Sequence, residues 1–271
     1  MPQLEPIARA RVTISVNFDA ETLWEGMFPE SRAMPKTLSM GEYGAAHGLA
    51  RVLQVLQAHR MEATFFVPGR VAERYPEHVL RIQQAGHEIG LRGLRGENLG
   101  ALSESDQRRV IEQGARVLEI LCKRRPFGFR APWGEVTPAT YHALADAGFT
   151  YSSSLHGDDR PYRPDAGAGL VEIPWHWELY DWPYFAFNYR PAFPDGQGRI
   201  ASYSAVLKTW LHELEGYRQE DLLFHLVVTP QTIGSPGRIA LLETMLAAIQ
   251  GRDAVACCGD WARRFSTEDV R

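Results

Sequence analysis

Short apolar runs alternate with longer amphipathic segments along most of the chain. The apolar runs predict buried strands, and they lie at 12–19, 63–67, 87–91, 127–130, 149–151, 222–228 and 254–257. The amphipathic segments have apolar residues every three or four positions and predict helices, and they lie at 43–59, 77–85, 103–121, 137–147, 203–216 and 238–249. This succession is typical of parallel βα units, so we expect an α/β fold. No linker rich in Gly, Ser or charge divides the chain, and we expect one domain spanning 1–271.

Two segments depart from this rhythm. Residues 21–39 are rich in Met, Phe, Pro and Trp, and we expect a long loop over the site rather than a regular element. Residues 161–199 form an aromatic-rich insertion, within which 170–174 predicts one more strand. Eight aromatic side chains lie between positions 175 and 189. They either stack on a sugar or a flat heterocycle, pack the insertion onto the barrel, or form an oligomer interface, and we expect at least one to contact a ligand.

Composition removes several classes of function. The formal net charge is -4, which gives no general attraction to nucleic acid or to anionic membranes. Three cysteines, two of them adjacent, do not predict a disulfide framework, and we expect all three to be reduced. The N-terminus has no basic region followed by an apolar core, and no run approaches 18 apolar residues. We therefore expect a cytoplasmic protein without a signal peptide or membrane span.

The first strand delivers polar groups at its carboxyl end, which is where active sites are built in barrels of parallel strands. Asn17 and Asp19 are two positions apart, so they share one face if the strand stays extended to Asp19. A carboxylate there is a common start for a metal or acid–base site. The alternative is that Asp19 only caps the turn or helix that follows.

Seven short motifs appear in order along nearly the whole chain, at 16–20, 63–69, 85–90, 129–133, 148–155, 171–174 and 228–238. They include Val16-Asn-Phe-Asp-Ala20, Ala85-Gly-His-Glu-Ile-Gly90 and Phe129-Arg-Ala-Pro-Trp133. This series resembles the polysaccharide deacetylase family (carbohydrate esterase family 4), in its peptidoglycan-deacetylase and allantoinase-like branch. The resemblance implies a distorted (β/α) barrel with its site at the carboxyl ends of the strands.

The resemblance also implies metal-assisted hydrolysis of an amide. One Asp and two His hold a divalent ion, usually zinc, a second Asp is the general base, and a later His is the general acid. In this chain Asp19 matches the metal Asp, Asn17 the base, Arg92 and Gly96 the two metal histidines, and Thr229 the later histidine. Asparagine cannot take a proton from water at neutral pH. Arg92 would repel a dication and is expected to pair with Asp19 instead, so we expect no metal ligands and no cofactor, with zinc only if the register is wrong.

The remaining candidates surround these positions. Arg130 and Trp133 match the third motif, in which the family's Arg orients the base and its Trp walls the pocket. With Asn17 at the base position, Arg130 is left to pair with Asp19, Asp158 or Asp159, or with an anionic ligand. His156 and His176 are the two histidines that could rebuild a site, although they could equally hydrogen-bond within the aromatic segment, and we read His225 as a core residue. We therefore place Asp19, Asn17, Arg130 and Thr229 at the catalytic positions, and a substrate pocket at Arg92, Trp133, His156, Trp175, His176 and Trp182.

Three hypotheses follow. We favour a deacetylase-like protein that is inactive as a metal-dependent deacetylase and is retained to bind a sugar or a partner. The first alternative is a metal-independent hydrolase of amides or cyclic amides with Asp19 as base, and it requires a raised Asp19 pKa without a tight Arg92 pair. The second is an ordinary metal-dependent deacetylase, and it requires His156 and His176 near Asp19. In each case we expect a carbohydrate or small-molecule ligand, no nucleic acid, no membrane, and a homo-oligomer.

Overall fold

The computed structural model describes residues 10–133, 135–195 and 200–268. Eight parallel strands lie in this part of the chain, namely β1 (Arg11–Asn17), β2 (Thr64–Val67), β3 (Glu88–Leu91), β4 (Gly128–Phe129), β5 (Tyr151–Ser152), β6 (Val171–Glu172), β7 (Leu223–Val228) and β8 (Ala254–Val255). Their order is β6-β5-β4-β3-β2-β1-β7, and β8 pairs with the first residues of β1. The curled sheet and its covering helices form the predicted distorted (β/α) barrel.

The central strand β1 separates an apolar layer from a polar barrel interior. Successive side chains of a strand point to opposite faces. One set packs in the main apolar cluster with the surrounding helices, namely Val12, Ile14 and Val16. The residues on the opposite face are Thr13, Ser15 and Asn17, and each forms a hydrogen bond with another buried side chain. The strand ends at Asn17, so Asp19 lies just beyond it rather than on the same extended face.

Irregular chain closes the gap between the two edge strands β6 and β7. The carbonyl of Asp159 accepts from Leu223 N at 3.0 Å at one end of β7. At the other end Asp181 N donates to Val227 O at 3.1 Å. Between them, His225 Nδ1 lies 2.8 Å from Pro174 O. The aromatic-rich segment is therefore part of the barrel wall.

Helices cover the outside of the sheet. They are α1 (Thr22–Met27), α2 (Pro35–Tyr43), α3 (Leu49–His59), α4 (Gly69–Arg74), α5 (Pro76–Gln84), α6 (Glu104–Cys122), α7 (Pro138–Asp146), α8 (Trp182–Phe185), α9 (Tyr203–Gln219), α10 (Pro230–Ile233), α11 (Ile239–Ile249) and α12 (Cys258–Glu268). The six predicted helices are all present, and the first of them opens with a π-helical stretch at Gly44–Gly48. The short helices α4, α8 and α10 and the C-terminal α12 were not predicted.

The expectation of a long loop at 21–39 is wrong. This segment forms α1, a 3₁₀ turn at Pro29–Ala33 and most of α2. Pro29 and Pro35 each stand at the start of a helical turn, where the fixed φ of proline suits the helix and its missing N–H costs nothing. Leu23 and Trp24 are buried. Proline here begins helices rather than marking a loop.

All three cysteines are free thiols, as predicted, and the structure shows that they are also buried. In the described ranges, no helix combines the length and the apolar character needed to span a membrane.

Candidate active site at the carboxyl ends of the strands

Arg92, the residue after β3, forms an ion pair with Asp19 beyond the end of β1. Its Nε donates to Asp19 Oδ1 at 2.7 Å. Nη1 donates to Ala131 O at 2.7 Å and Nη2 to Pro132 O at 2.5 Å. The Arg92 side chain is 4% exposed and that of Asp19 is 1% exposed. The predicted pair is confirmed, and all three guanidinium nitrogens are in use.

The Asp19 carboxylate is only half satisfied. Its second oxygen, Oδ2, is buried and has no hydrogen-bond partner among the described residues. Burial raises the pKa of Asp19, and the nearby Arg92 and Arg130 guanidinium groups oppose that rise. Removing the guanidinium would leave a buried carboxylate without compensation, and such a group is costly.

Gly96 is packed against α1 so closely that it has no room for a side chain. Its φ is +81°, and a Cβ there would meet Thr22 O at 2.6 Å. A Cβ on Gly26 would in turn collide with the Gly96 carbonyl. That same carbonyl accepts from Trp133 Nε1 at 2.7 Å. Gly96, which the family resemblance aligns with the second metal histidine, is therefore a backbone contact, and Trp133 is hydrogen-bonded to it.

Arg130 lies inside the barrel and forms hydrogen bonds with neutral groups. Its Nη1 donates to Ser15 Oγ at 2.8 Å and to Asn17 Oδ1 at 3.0 Å. Its Nε and Nη2 donate to the carbonyl and hydroxyl of Ser153, and Nη2 lies 3.1 Å from His225 Nε2. Burial lowers the pKa of Arg130 to about 10. Its guanidinium also lies 4.3 Å from the centre of the Phe66 ring.

The expected ion pair of Arg130 with Asp19, Asp158 or Asp159 is therefore wrong. The Asp159 carboxylate instead forms hydrogen bonds with the His176 ring and with the Tyr217 hydroxyl. The barrel interior satisfies the cation with hydroxyl, carbonyl and amide oxygens, which makes a carboxylate partner unnecessary.

His225 is a core residue, as predicted. Its two ring nitrogens lie at hydrogen-bond distance from Ser15 Oγ and from Pro174 O. Burial first, and then the charge of Arg130, hold the pKa of His225 well below its usual range. The ring is therefore neutral and positions Arg130.

Thr229 follows β7 and belongs to a second buried polar group. Its N–H donates to Asp181 Oδ2 at 3.0 Å, and its hydroxyl donates to Tyr180 OH at 3.3 Å. The Tyr180 oxygen also accepts from Asn17 Nδ2 at 3.1 Å. Asn17 and Thr229 are thus linked through one phenol oxygen.

Asp181 is a buried carboxylate that the sequence analysis missed. Its Oδ2 accepts from Thr229 N and from the Thr232 hydroxyl, whereas its Oδ1 has no partner among the described residues. Burial raises the pKa of Asp181 to about 7, against the lowering effect of these hydrogen bonds. Its place just before Trp182-Pro is its signal in the sequence, and the composition of that segment predicts aromatic packing.

The two histidines proposed for a rebuilt site form hydrogen bonds within the aromatic-rich segment and its neighbours. His156 Nδ1 lies 2.5 Å from Trp175 O, and His176 Nε2 lies 2.9 Å from Asp159 Oδ1. Neither forms a hydrogen bond with Asp19 in the described part of the chain. Across 10–133, 135–195 and 200–268, no group of three or more His, Cys, Asp or Glu could hold a metal ion.

Trp175 and Trp182, which the sequence predicts in one substrate pocket, belong to one apolar cluster together with Trp24 and Tyr180. Trp175 packs edge-on against His156 and donates from Nε1 to Ser153 O at 3.2 Å. Trp182 packs against Trp24, with ring centres 5.6 Å apart. The structure therefore brings Asp19, Arg92, Asn17, Arg130 and Thr229 together. Trp175 and Trp182 lie in one apolar cluster that also contains Tyr180.

A barrel of parallel strands with its polar site at the carboxyl ends defines the class, and comparisons with known proteins define the family. The model of the polysaccharide deacetylase family matches residues 40–152. The crystal structure of a candidate polysaccharide deacetylase from Mycobacterium smegmatis is 32% identical, with a TM-score of 0.89, and the match covers 99% of this chain and 94% of that one.

Two further relatives extend the comparison. The peptidoglycan deacetylase of Helicobacter pylori is 26% identical over 90% of this chain and 91% of that protein. The crystal structure of Puue allantoinase shares the fold, with a TM-score of 0.81 at 21% identity over 96% of this chain and 91% of that one. The chain belongs to the polysaccharide deacetylase family.

Proposed function

We propose that this protein does not perform metal-dependent deacetylation and instead acts as a ligand-binding member of the polysaccharide deacetylase family. The observation that carries the proposal is the Arg92 guanidinium, which lies on Asp19 and has every nitrogen engaged. A carboxylate bound to a buried cation is not free to hold a dication, because the two positive charges would repel each other in the same small space.

The other chemical roles lack suitable groups as well. Asn17 would stand where a base is needed, and its amide oxygen already accepts from Arg130. Thr229 would stand where an acid is needed, and a threonine hydroxyl does not release a proton near neutral pH. Gly96 offers no ligand and no space for one.

A metal-independent hydrolase is a weaker candidate. That function would need Asp19 as a base with a raised pKa and without a tight Arg92 pair. Burial does raise the Asp19 pKa, but the pair is close, and a carboxylate that is 1% exposed cannot meet a substrate in this conformation.

The aromatic-rich segment supports the binding half of the proposal. Trp182, Phe185 and Phe187 line a cavity of about 460 Å³ at the same end of the barrel. We expect its ligand to be a carbohydrate or a small flat molecule, because aromatic faces stack on both.

Tyr189 and Ile200 are 74% and 48% exposed, and we propose that they contribute to a homo-oligomer interface, which sedimentation would test.

A zinc titration tests the loss of metal chemistry. The protein is purified without affinity-tag metal, titrated calorimetrically with zinc, and assayed on oligomers of N-acetylglucosamine with and without the ion. We expect no site that distinguishes the wild type from the matched variant Asp19→Asn. One tightly bound ion per chain that disappears in Asp19→Asn, or zinc-dependent release of acetate, would overturn the proposal.

A further inference from the structure

A cavity of about 460 Å³ lies beside α2, α8, α10 and α11, apart from the Asp19–Arg92 pair. Its walls are mostly apolar and aromatic, with Trp24, Trp182, Phe185, Phe187 and Met40 among the lining residues. A volume of this size suits a small molecule with one or two rings. Neither Asp19 nor Arg92 lines it.

Two buried polar side chains on the wall of this cavity have no hydrogen-bond partner among the described residues. They are the indole Nε1 of Trp24 and both amide atoms of Gln231. Trp24 is 2% exposed and Gln231 is 8% exposed. Leaving such groups buried and unpaired destabilises a fold. In this conformation the polar atoms themselves are closed off from the cavity, so a ligand pairs with them only if the two side chains turn toward it.

Arg238 places a positive charge at the same cavity. It is half-buried, its guanidinium lies 5.4 Å from the centre of the Phe185 ring, and its hydrogen bonds run from Nε to Ser235 Oγ and from Nη1 to Phe185 O. No carboxylate among the described residues forms an ion pair with it. The nearby Asp181 carboxyl is hydrogen-bonded to Thr229 and Thr232 instead.

The polar groups that remain are mainly donors. Arg238 offers the N–H groups of Nη2, and Trp24 and Gln231 would add one and two N–H groups when their side chains turn toward the cavity. A donor-rich site with one positive charge favours an anion that accepts several hydrogen bonds. The aromatic walls favour a flat apolar body attached to that anion.

We propose that this cavity binds a small carboxylate with a flat, ring-containing body, with the carboxylate at Arg238 and Gln231 and the ring against the aromatic wall of Trp182, Phe185 and Phe187. The inference rests on the binding half of the proposed function. The zinc experiment tests the other half, so either can fail without the other.

Benzoate and its neutral isostere benzamide are suitable probes. Binding is followed by ligand-observed NMR and by the shift of the Trp24 indole N–H resonance, which is assigned by its loss in Trp24→Phe. We expect saturable benzoate binding and affinity for benzamide that is weaker by about tenfold or more, because the charge-assisted contact is lost. No saturable benzoate binding, or equal affinity for the two probes, would overturn the proposal.

Two variants locate the site. Gln231→Leu and Arg238→Gln should each weaken benzoate binding by about tenfold or more. Arg116→Gln, which removes an exposed arginine on α6, is the matched control for charge and should leave affinity unchanged. Unchanged binding in both cavity variants would overturn the site.

The Gln231 variant also has a readout that does not depend on any probe. Leucine fills a similar volume and removes the unpaired amide, so Gln231→Leu should unfold at the same temperature as the wild type or at a higher one. A clearly lower unfolding temperature would mean that the amide is paired within the folded chain and would overturn the argument for a ligand.

Discussion

The guanidinium of Arg92 forms an ion pair with the carboxylate of Asp19, with 2.7 Å between Nε and Oδ1. The two residues follow β3 and β1, which lie on either side of β2. Two chemical groups that are each expensive to bury are therefore buried together. The carbonyls of Ala131 and Pro132 satisfy the rest of the cation. The pair fixes three segments of the candidate site in one arrangement.

Arg92→Ala should destabilise the fold by about 3–5 kcal/mol, because it leaves the Asp19 carboxylate and two carbonyls without their donor. Urea unfolding followed by circular dichroism measures the change. The control Arg116→Ala, on the exposed face of α6, should change stability by less than about 0.5 kcal/mol. An Arg92→Ala variant as stable as this control would contradict a structural role for the pair.

The sequence predicts this ion pair but not most of the hydrogen-bond partners of Arg130. Asp19 and Arg92 follow strands that the apolar pattern identifies, so their neighbourhood follows from the order of parallel βα units. The partners of Arg130 come from β1, β7 and the chain after β5. Asn17 is the partner that the family resemblance implies, whereas Ser15 and Ser153 are neutral side chains without any signal in a single sequence. Burial selects these partners, and burial depends on the closed barrel.

Asp181 was missed for a related reason. It meets Thr229 across 48 positions of sequence, through an irregular segment that closes the barrel without a strand. The composition of that segment predicts aromatic packing, and most of its rings do pack. Aspartate side chains are mostly exposed in folded proteins, so the sequence alone predicts an exposed carboxylate at this position.

Asp181 should make stability depend on pH. Its pKa is raised in the folded protein to about 7 from an ordinary value of 3.8, so the folded state holds a proton that the unfolded chain releases. The folding free energy should therefore weaken as pH rises from about 4 to about 7 and level off above that range. The loss is on the order of 2–4 kcal/mol.

The measurement is the difference in unfolding free energy between the wild type and Asp181→Asn at several pH values. Asparagine keeps an oxygen for Thr229 N–H and does not titrate. Other raised carboxyls such as Asp19 and Glu172 titrate in both proteins and cancel in the difference. A difference that stays constant from pH 4 to pH 8 would show that Asp181 keeps an ordinary pKa.

Gly96→Ala should destabilise the protein by about 1–3 kcal/mol. The residue has φ +81°, and its new Cβ would meet the Thr22 carbonyl. Gly216→Ala is the matched control, because this glycine is within α9 and no atom outside its own stretch of helix lies within 4 Å of its Cβ position. The control should stabilise the protein by about 0.5–1 kcal/mol. Thermal unfolding compares the two, and equal effects would mean that α1 yields readily to a side chain at position 96.

A combined variant tests whether the metal site is lost in its side chains or also in its backbone. The triple change Asn17→Asp, Arg92→His and Thr229→His supplies the base, one ligand and the acid that the family resemblance implies, and in that pattern Asp19 and the histidine at position 92 are two of the three ligands. A zinc site needs at least three protein ligands, so we expect no tight zinc binding by calorimetry.

Adding Gly96→His to this variant supplies the third ligand but forces α1 away from the Gly96 carbonyl. We expect a lower unfolding temperature for the quadruple variant than for the triple variant, measured without metal, because the side chain has no space beside Thr22 O. Zinc binding together with an unchanged unfolding temperature would mean that side chains alone separate this protein from an active deacetylase. A loss of stability would place the barrier in the packing of α1 against the loop that follows β3.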